Sequence, residues 1–107
     1  MINEYVVTVE ADPNLRFEDK YGRGSYVRET WRLNGIIHRQ HGPAVTIFHP
    51  ITNRPIQEEY FKDGKRHRYT GPAIITRDHD TGKIVMAQFF ELGQPATRQR
   101  PLTLGGA

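Results

Sequence analysis

The sequence predicts an all-β domain, an antiparallel meander of repeated β-hairpins forming one twisted sheet with a short N-terminal cap strand. Three observations lead there. Displacing the chain by 29 residues lays His38-Arg39 on His67-Arg68 and Gly42-Pro43-Ala44 on Gly71-Pro72-Ala73, and self-similarity at a fixed period marks repeat architectures. Asn34-Gly35 and Asp63-Gly64 fall on each other at the same offset. Both are favoured two-residue hairpin turns, whose central positions need the positive φ that Asn, Asp and Gly adopt at low cost. Finally, no segment argues for a long helix: the best candidate, Pro13 to Tyr21, lacks an apolar stripe and ends in Gly22-Arg23-Gly24, which reads as loop.

Taken in order, Tyr5 to Val9 is a short strand and the rest of 1–24 completes the cap as loop. Residues 25–98 form the repeat domain, in units of about 27–55 and 56–84 followed by a degenerate 85–98. Each unit opens on a strand in which Val27 and Trp31, Ile56 and Tyr60, and Val85 and Phe89 share a parity, so period-2 spacing puts each pair on one face. The Gly turn follows, then the His-Arg step, which the third unit replaces with Ala96 and Thr97. Second strands run Ala44 to Phe48 and Ala73 to Arg77, each beginning just after a proline, a position where the missing N–H is tolerated. Further turns fall at Pro50 to Asn53 and Asp78 to Gly82. The polar, Gly-rich 99–107 reads as a flexible tail.

Composition bounds the function. A chain of 107 residues makes one domain and buries about two-thirds of its unfolded surface, so the core is modest. With no cysteine there are no disulfides, thiolate metal sites or cysteine nucleophiles. No apolar run approaches the roughly 20 residues of a membrane span, and the N-terminus lacks the pattern of a signal peptide, so a cytoplasmic protein with no membrane contact is expected. Net charge is +3, unevenly spread: residues 1–20 hold five acids against two bases, a net of −3, and the remainder carries +6. Either the acidic segment lies against the basic body of the same chain, or two copies attract head to tail.

The string Trp31…Asn34-Gly35…His38-Arg39…Gly42-Pro43-Ala44 resembles the bacterial and phage variants of MORN-type repeats, over roughly Tyr26 to Phe90. The resemblance implies a small β-hairpin array with a habit of binding, in proteins of bacterial and prophage genomes, and no attached reaction. The chain departs from the better-known eukaryotic pattern, whose units are shorter and lack the His-Arg step, so the membrane-lipid role of that group does not transfer.

Catalytic furniture is missing, and the chain is read as a non-enzyme without cofactors. The single serine, Ser25, has no glycine-flanked elbow. Adjacent Glu58 and Glu59 point to opposite faces of a strand and cannot share a substrate. His38 and His67 invite a metal reading, but equivalent residues of adjacent repeats stand about 10 Å apart, because strands lie near 4.8 Å from one another, whereas zinc needs its ligands within about 2.1 Å. No metal site is expected. The shared residues His38, Arg39, Gly42, Pro43, His67, Arg68, Gly71 and Pro72 are read as structural: each His-Arg step hydrogen-bonds the Gly-Pro turn of its own unit, and each Gly supplies a backbone conformation other residues resist.

Function is therefore expected where the units differ. Lys62, Lys65, Arg66 and Arg68 cluster around the second turn beside His67 and Tyr69, while the matching Leu33-Asn34-Gly35-Ile36-Ile37 of the first unit carries no charge. Of the two isoleucines, one faces out if the strand is regular, and Ile36 is nominated. Lys62, Lys65, Arg66, Arg68, Tyr69 and Ile36 are thus the expected partner surface. A protein partner is favoured, with the chain acting as an interaction module, a phage- or prophage-encoded inhibitor or accessory factor of bacterial machinery. The alternative is a nucleic-acid-binding module using the Lys62–Tyr69 tip together with Arg77 and Lys83, since cations interleaved with aromatics contact phosphates and stack on bases. Open sheet edges also make homodimerisation an expectation.

Overall fold

The computed structural model describes residues 4–96, and the tail assigned to 99–107 and the last two residues of the third unit lie outside the described residues. All its regular structure is strand: β1 (Tyr5–Asp19), β2 (Gly22–Leu33), β3 (Ile36–Ile37), β4 (Val45–Phe48), β5 (Pro55–Glu59), β6 (Phe61–Lys62), β7 (Lys65–Arg66), β8 (Ile74–Arg77), β9 (Ile84–Glu91) and β10 (Gln94–Ala96). The main sheet runs β1-β2-β4-β5-β8-β9-β10 with β3 on β2, and β6 and β7 form a separate ribbon. Every neighbouring pair is antiparallel, so the chain meanders from one edge of an open sheet to the other. The result is a slab of 45 × 41 × 19 Å.

Three tips line one end of the sheet. Asn34 and Gly35 have φ of 51° and 86°, Asp63 and Gly64 50° and 83°, and Leu92 and Gly93 48° and 85°. All three have the doubly positive φ of the hairpin turn. The third is made by a leucine in a conformation that costs an L-residue roughly 1–2 kcal/mol. Backbone hydrogen bonds recur at the same 29-residue offset. The Trp31 and Tyr60 N–H groups donate to the Ala44 and Ala73 carbonyls at 2.8 and 2.7 Å, and those alanines donate to Glu59 and Gln88. Gly-Pro-Ala thus delivers a small residue where strands converge, and both alanines are completely buried. Bulges recur too: Ile56 between β4 and β5, and Val85 between β8 and β9, interrupt the register at equivalent places.

β1 is much longer than its apolar run. It pairs with β2 from Tyr5↔Leu33 to Asp19↔Gly22, and Gly22-Arg23-Gly24 opens β2 rather than forming a loop. The register shifts between Ala11 and Arg16. There the Asp12 carboxylate accepts from the N–H groups of Asn14 (2.8 Å) and Leu15 (2.9 Å). Pro13 sits in this irregular stretch, where no ladder N–H is needed. Beyond it Leu15 and Phe17 turn inward, and Phe17, Tyr26, Val45 and Ile47 form the core with Leu15, Ile37, Ile56 and Phe61 packed against it.

Candidate partner-binding surface

Trp31 and Tyr60 close their strands at the tip end, and on each ring lies the guanidinium of the arginine eight residues on. Arg39 sits 3.8 Å from the Trp31 ring centroid and Arg68 4.0 Å from that of Tyr60. Each Nη1 donates to the proline carbonyl of its own Gly-Pro turn, at 3.2 and 3.3 Å. A Cβ on Gly42 would come within 3.1 Å of Arg39 Cζ, and one on Gly71 within 3.0 Å of Arg68 Nη1. Glycine is therefore needed on the far side of each guanidinium. Gly42 also has φ +117°, but Gly71 stays outside the left-handed region. The backbone-conformation reading made from sequence therefore holds for Gly42 and fails for Gly71, and the requirement the two share is room for the arginine.

The histidines do a different job from the one their spacing implies. His38 Nδ1 accepts from the Asp63 N–H and His67 Nδ1 from the Leu92 N–H, both at 3.0 Å. Each therefore ties its unit to the next tip rather than to its own Gly-Pro turn. An accepting Nδ1 is unprotonated, which leaves the ring proton on Nε2. Gly64 and Gly93 complete the links by donating to the Ile37 and Arg66 carbonyls at 2.8 Å. Among the described residues, no group of three or more His, Asp or Glu converges as a metal site would require.

Of the four basic residues nominated around the second turn, two are engaged. Arg68 is stacked as described. Arg66 reaches Glu59 Oε1 through Nε (3.3 Å) and Nη2 (3.1 Å), while Gln57 Nε2 donates to Oε2 at 2.7 Å. Glu59 is buried, so Arg66 serves mainly to neutralise a carboxylate that the sheet has taken out of water. Lys62 and Lys65 are exposed and stand directly opposite each other across the β6–β7 ribbon. Like charges so placed destabilise a ribbon, and among the described residues neither makes an ion pair. Ile36 faces out at 52% exposed while Ile37 packs on the core, and Ile36 lies beside Gly64 of the second tip. Arg77 and Lys83 belong to the other end of the sheet. Arg77 pairs with Glu58 at 3.0 Å and donates to the Gly82 carbonyl, in the turn between β8 and β9.

Between the two Gly-Pro loops and the β6–β7 ribbon runs a groove of about 620 Å³. Its walls carry Arg39, Lys62 and Arg68 and the imidazoles of His38, His41 and His67, and among the described lining residues there is no carboxylate. Tyr69 adds an exposed ring. A concavity lined by one sign of charge focuses potential and attracts groups of the opposite sign. Comparison with protein-family models, curated proteins and solved structures finds no match for this chain.

The opposite end holds a cluster with no signal in the sequence. His49 is completely buried against Phe17 (4.2 Å between centroids), Tyr21 and Tyr26. Its Nδ1 accepts from the Ile51 N–H at 3.1 Å, and its Nε2 lies 3.0 Å from Asp19 Oδ2. Burial would raise the Asp19 carboxyl, but the Tyr21 N–H and the His49 ring outweigh it and hold it below the usual range. With its polar atoms used in the turn, this cluster is structural.

Proposed function

We propose that the chain is a non-enzymatic protein-interaction module that docks an acidic surface of its partner on the tip end of the sheet. The observation that carries this is the groove whose charged walls are all basic, next to two opposed lysines that make no ion pair among the described residues. The resemblance to phage-borne hairpin repeats extends the reading to an inhibitor or accessory factor of bacterial machinery. Nucleic acid is the second reading, favoured by the exposed Tyr69 ring beside Lys62 in the same groove. It is weakened by the pairing of Arg66 with Glu59 and by the placement of Arg77 and Lys83 at the far end. Affinity capture from bacterial lysate, with and without nuclease, compares the native chain with Lys62→Glu/Lys65→Glu. A protein retained by the native chain and released both by charge reversal and by raised salt is the expected result. Retention that nuclease abolishes, with a log–log salt slope near the roughly 0.9 per contacted phosphate of duplex DNA, turns the reading to nucleic acid. Retention indifferent to both lysines overturns the tip as the docking surface.

A further inference from the structure

Both outer strands of the sheet carry a stretch with the properties that natural edges usually avoid. β10 covers β9 only at Phe89–Glu91, so Ile84 to Gln88 has no neighbour on its outer side among the described residues. All five residues there are exposed, Ile84, Val85 and Met86 among them, and none is charged. At the other edge β1 exposes Val6, Val7 and Val9, at 42–60%. Its bulge and proline, which blunt an edge, come only after Ala11. An uncharged and apolar edge is a template for another strand, and beyond the Val85 bulge Met86 to Gln88 pairs regularly with β8, as Gln57 to Glu59 does beyond the equivalent Ile56 bulge.

We infer that β9 of one copy receives β1 of a second copy, head to tail, extending the sheet across the interface. Four observations select this occupant. Chemistry comes first: the strands that cover the equivalent edges inside the molecule read Val45-Thr46-Ile47 and Ile74-Ile75-Thr76, and β1 offers Val6-Val7-Thr8-Val9, of the same β-branched kind. Direction agrees as well. Neighbours alternate along β1-β2-β4-β5-β8-β9, so β1 and β9 run oppositely and a copy set beside the first in the same orientation pairs antiparallel. The two open stretches also lie level, because ladder partners run Val9–Glu29–Thr46–Glu58–Ile75–Ala87 straight across the sheet. Lastly, the segment containing β1 carries −3 and the rest of the chain +6, so the contact brings opposite charge together, whereas β9 on β9 or β1 on β1 does not. A head-to-tail contact propagates, to a ring where the rotation between copies closes and to a filament where it does not.

The test is light scattering on the full chain over a wide concentration range, with Val9→Lys and Val85→Lys, two exposed positions where a lysine blocks strand addition without touching the core. The native chain is expected to grow in mass beyond the 12.4 kDa monomer as concentration rises. Each variant alone stays monomeric with an unchanged circular dichroism spectrum. An equimolar mixture forms a one-to-one pair and stops, because each variant retains the edge that the other has lost. A native chain that stays monomeric overturns the inference. So does Val9→Lys dimerising alone, which would mean β9 on β9, and so does a mixture that stays monomeric.

Discussion

Gly71 tests the proposal that these glycines exist to make room for an arginine. In Gly71→Ala the new Cβ lies 3.0 Å from Arg68 Nη1 and 3.1 Å from Cζ. The guanidinium cannot retreat freely, because the Tyr60 ring holds its other face. If it swings out, the stack and the Nη1 bond to the Pro72 carbonyl weaken together. A cation–π contact is worth about 0.5–1 kcal/mol and a hydrogen bond about as much again, so the loss is about 1–2 kcal/mol. Replacing glycine also lowers the entropy of the unfolded chain, which returns about 0.4–1 kcal/mol. The expected net cost is about 1 kcal/mol, read as a shift in the urea midpoint or a fall in Tm of roughly 4–8 °C. In an Arg68→Ala background nothing is left to displace, and the same substitution becomes neutral or stabilising. Gly42→Ala differs: its φ of +117° adds a backbone cost of about 1–3 kcal/mol that persists when Arg39 is also replaced. If Gly71→Ala costs as much without Arg68 as with it, the glycine serves the backbone and the room-for-arginine account fails.

Two further outcomes follow from the turns. Leu92→Asn places at the third tip a residue that accepts φ 48°, as Asn34 does at the first. A gain of about 1 kcal/mol is expected by urea denaturation, and an unchanged or lowered midpoint would show that the tip draws stability from the leucine side chain. Acid stability rests on Asp12, Asp19 and Asp78. At Asp12 burial raises the pKa, but the Asn14 N–H, Arg28 and the Leu15 N–H together hold it below the ordinary value; Asp78 is held down by the Thr81 and Asp80 N–H groups. A carboxyl depressed in the folded state stabilises above its unfolded pKa, near 3.9, and that contribution is lost as pH falls through the lower folded values. Urea midpoints should therefore decline from about pH 5 downward, and less steeply in Asp12→Asn, which keeps an acceptor for both N–H groups. Parallel declines in the two proteins would refute this.

The all-β meander was legible because it rests on local signals: turn dipeptides at Asn34-Gly35 and Asp63-Gly64, prolines 43 and 72 at strand entries, and alternation along β2. The extent of β1 was not legible, because Asp12, Pro13 and Asn14 read as turn chemistry whether they end a strand or bulge one. Only the pairing partner decides, and β2 lies on the far side of that turn in the sequence. The same difference separates the two residues of the His-Arg step. Arginine acts within its own unit, on Trp31 or Tyr60 and on a carbonyl four residues ahead, so its spacing to Gly-Pro carries the information. Histidine acts 25 residues ahead, on the N–H of the next tip, and a contact between units looks identical in sequence to one within a unit. It follows that a conserving exchange of one unit for another would preserve the arginine contacts wherever the unit is placed, whereas the histidine contacts need a following tip. The His67–Leu92 bond needs a third tip, and the Leu92-Gly93 turn supplies it although Ala96 and Thr97 stand where a His-Arg step would.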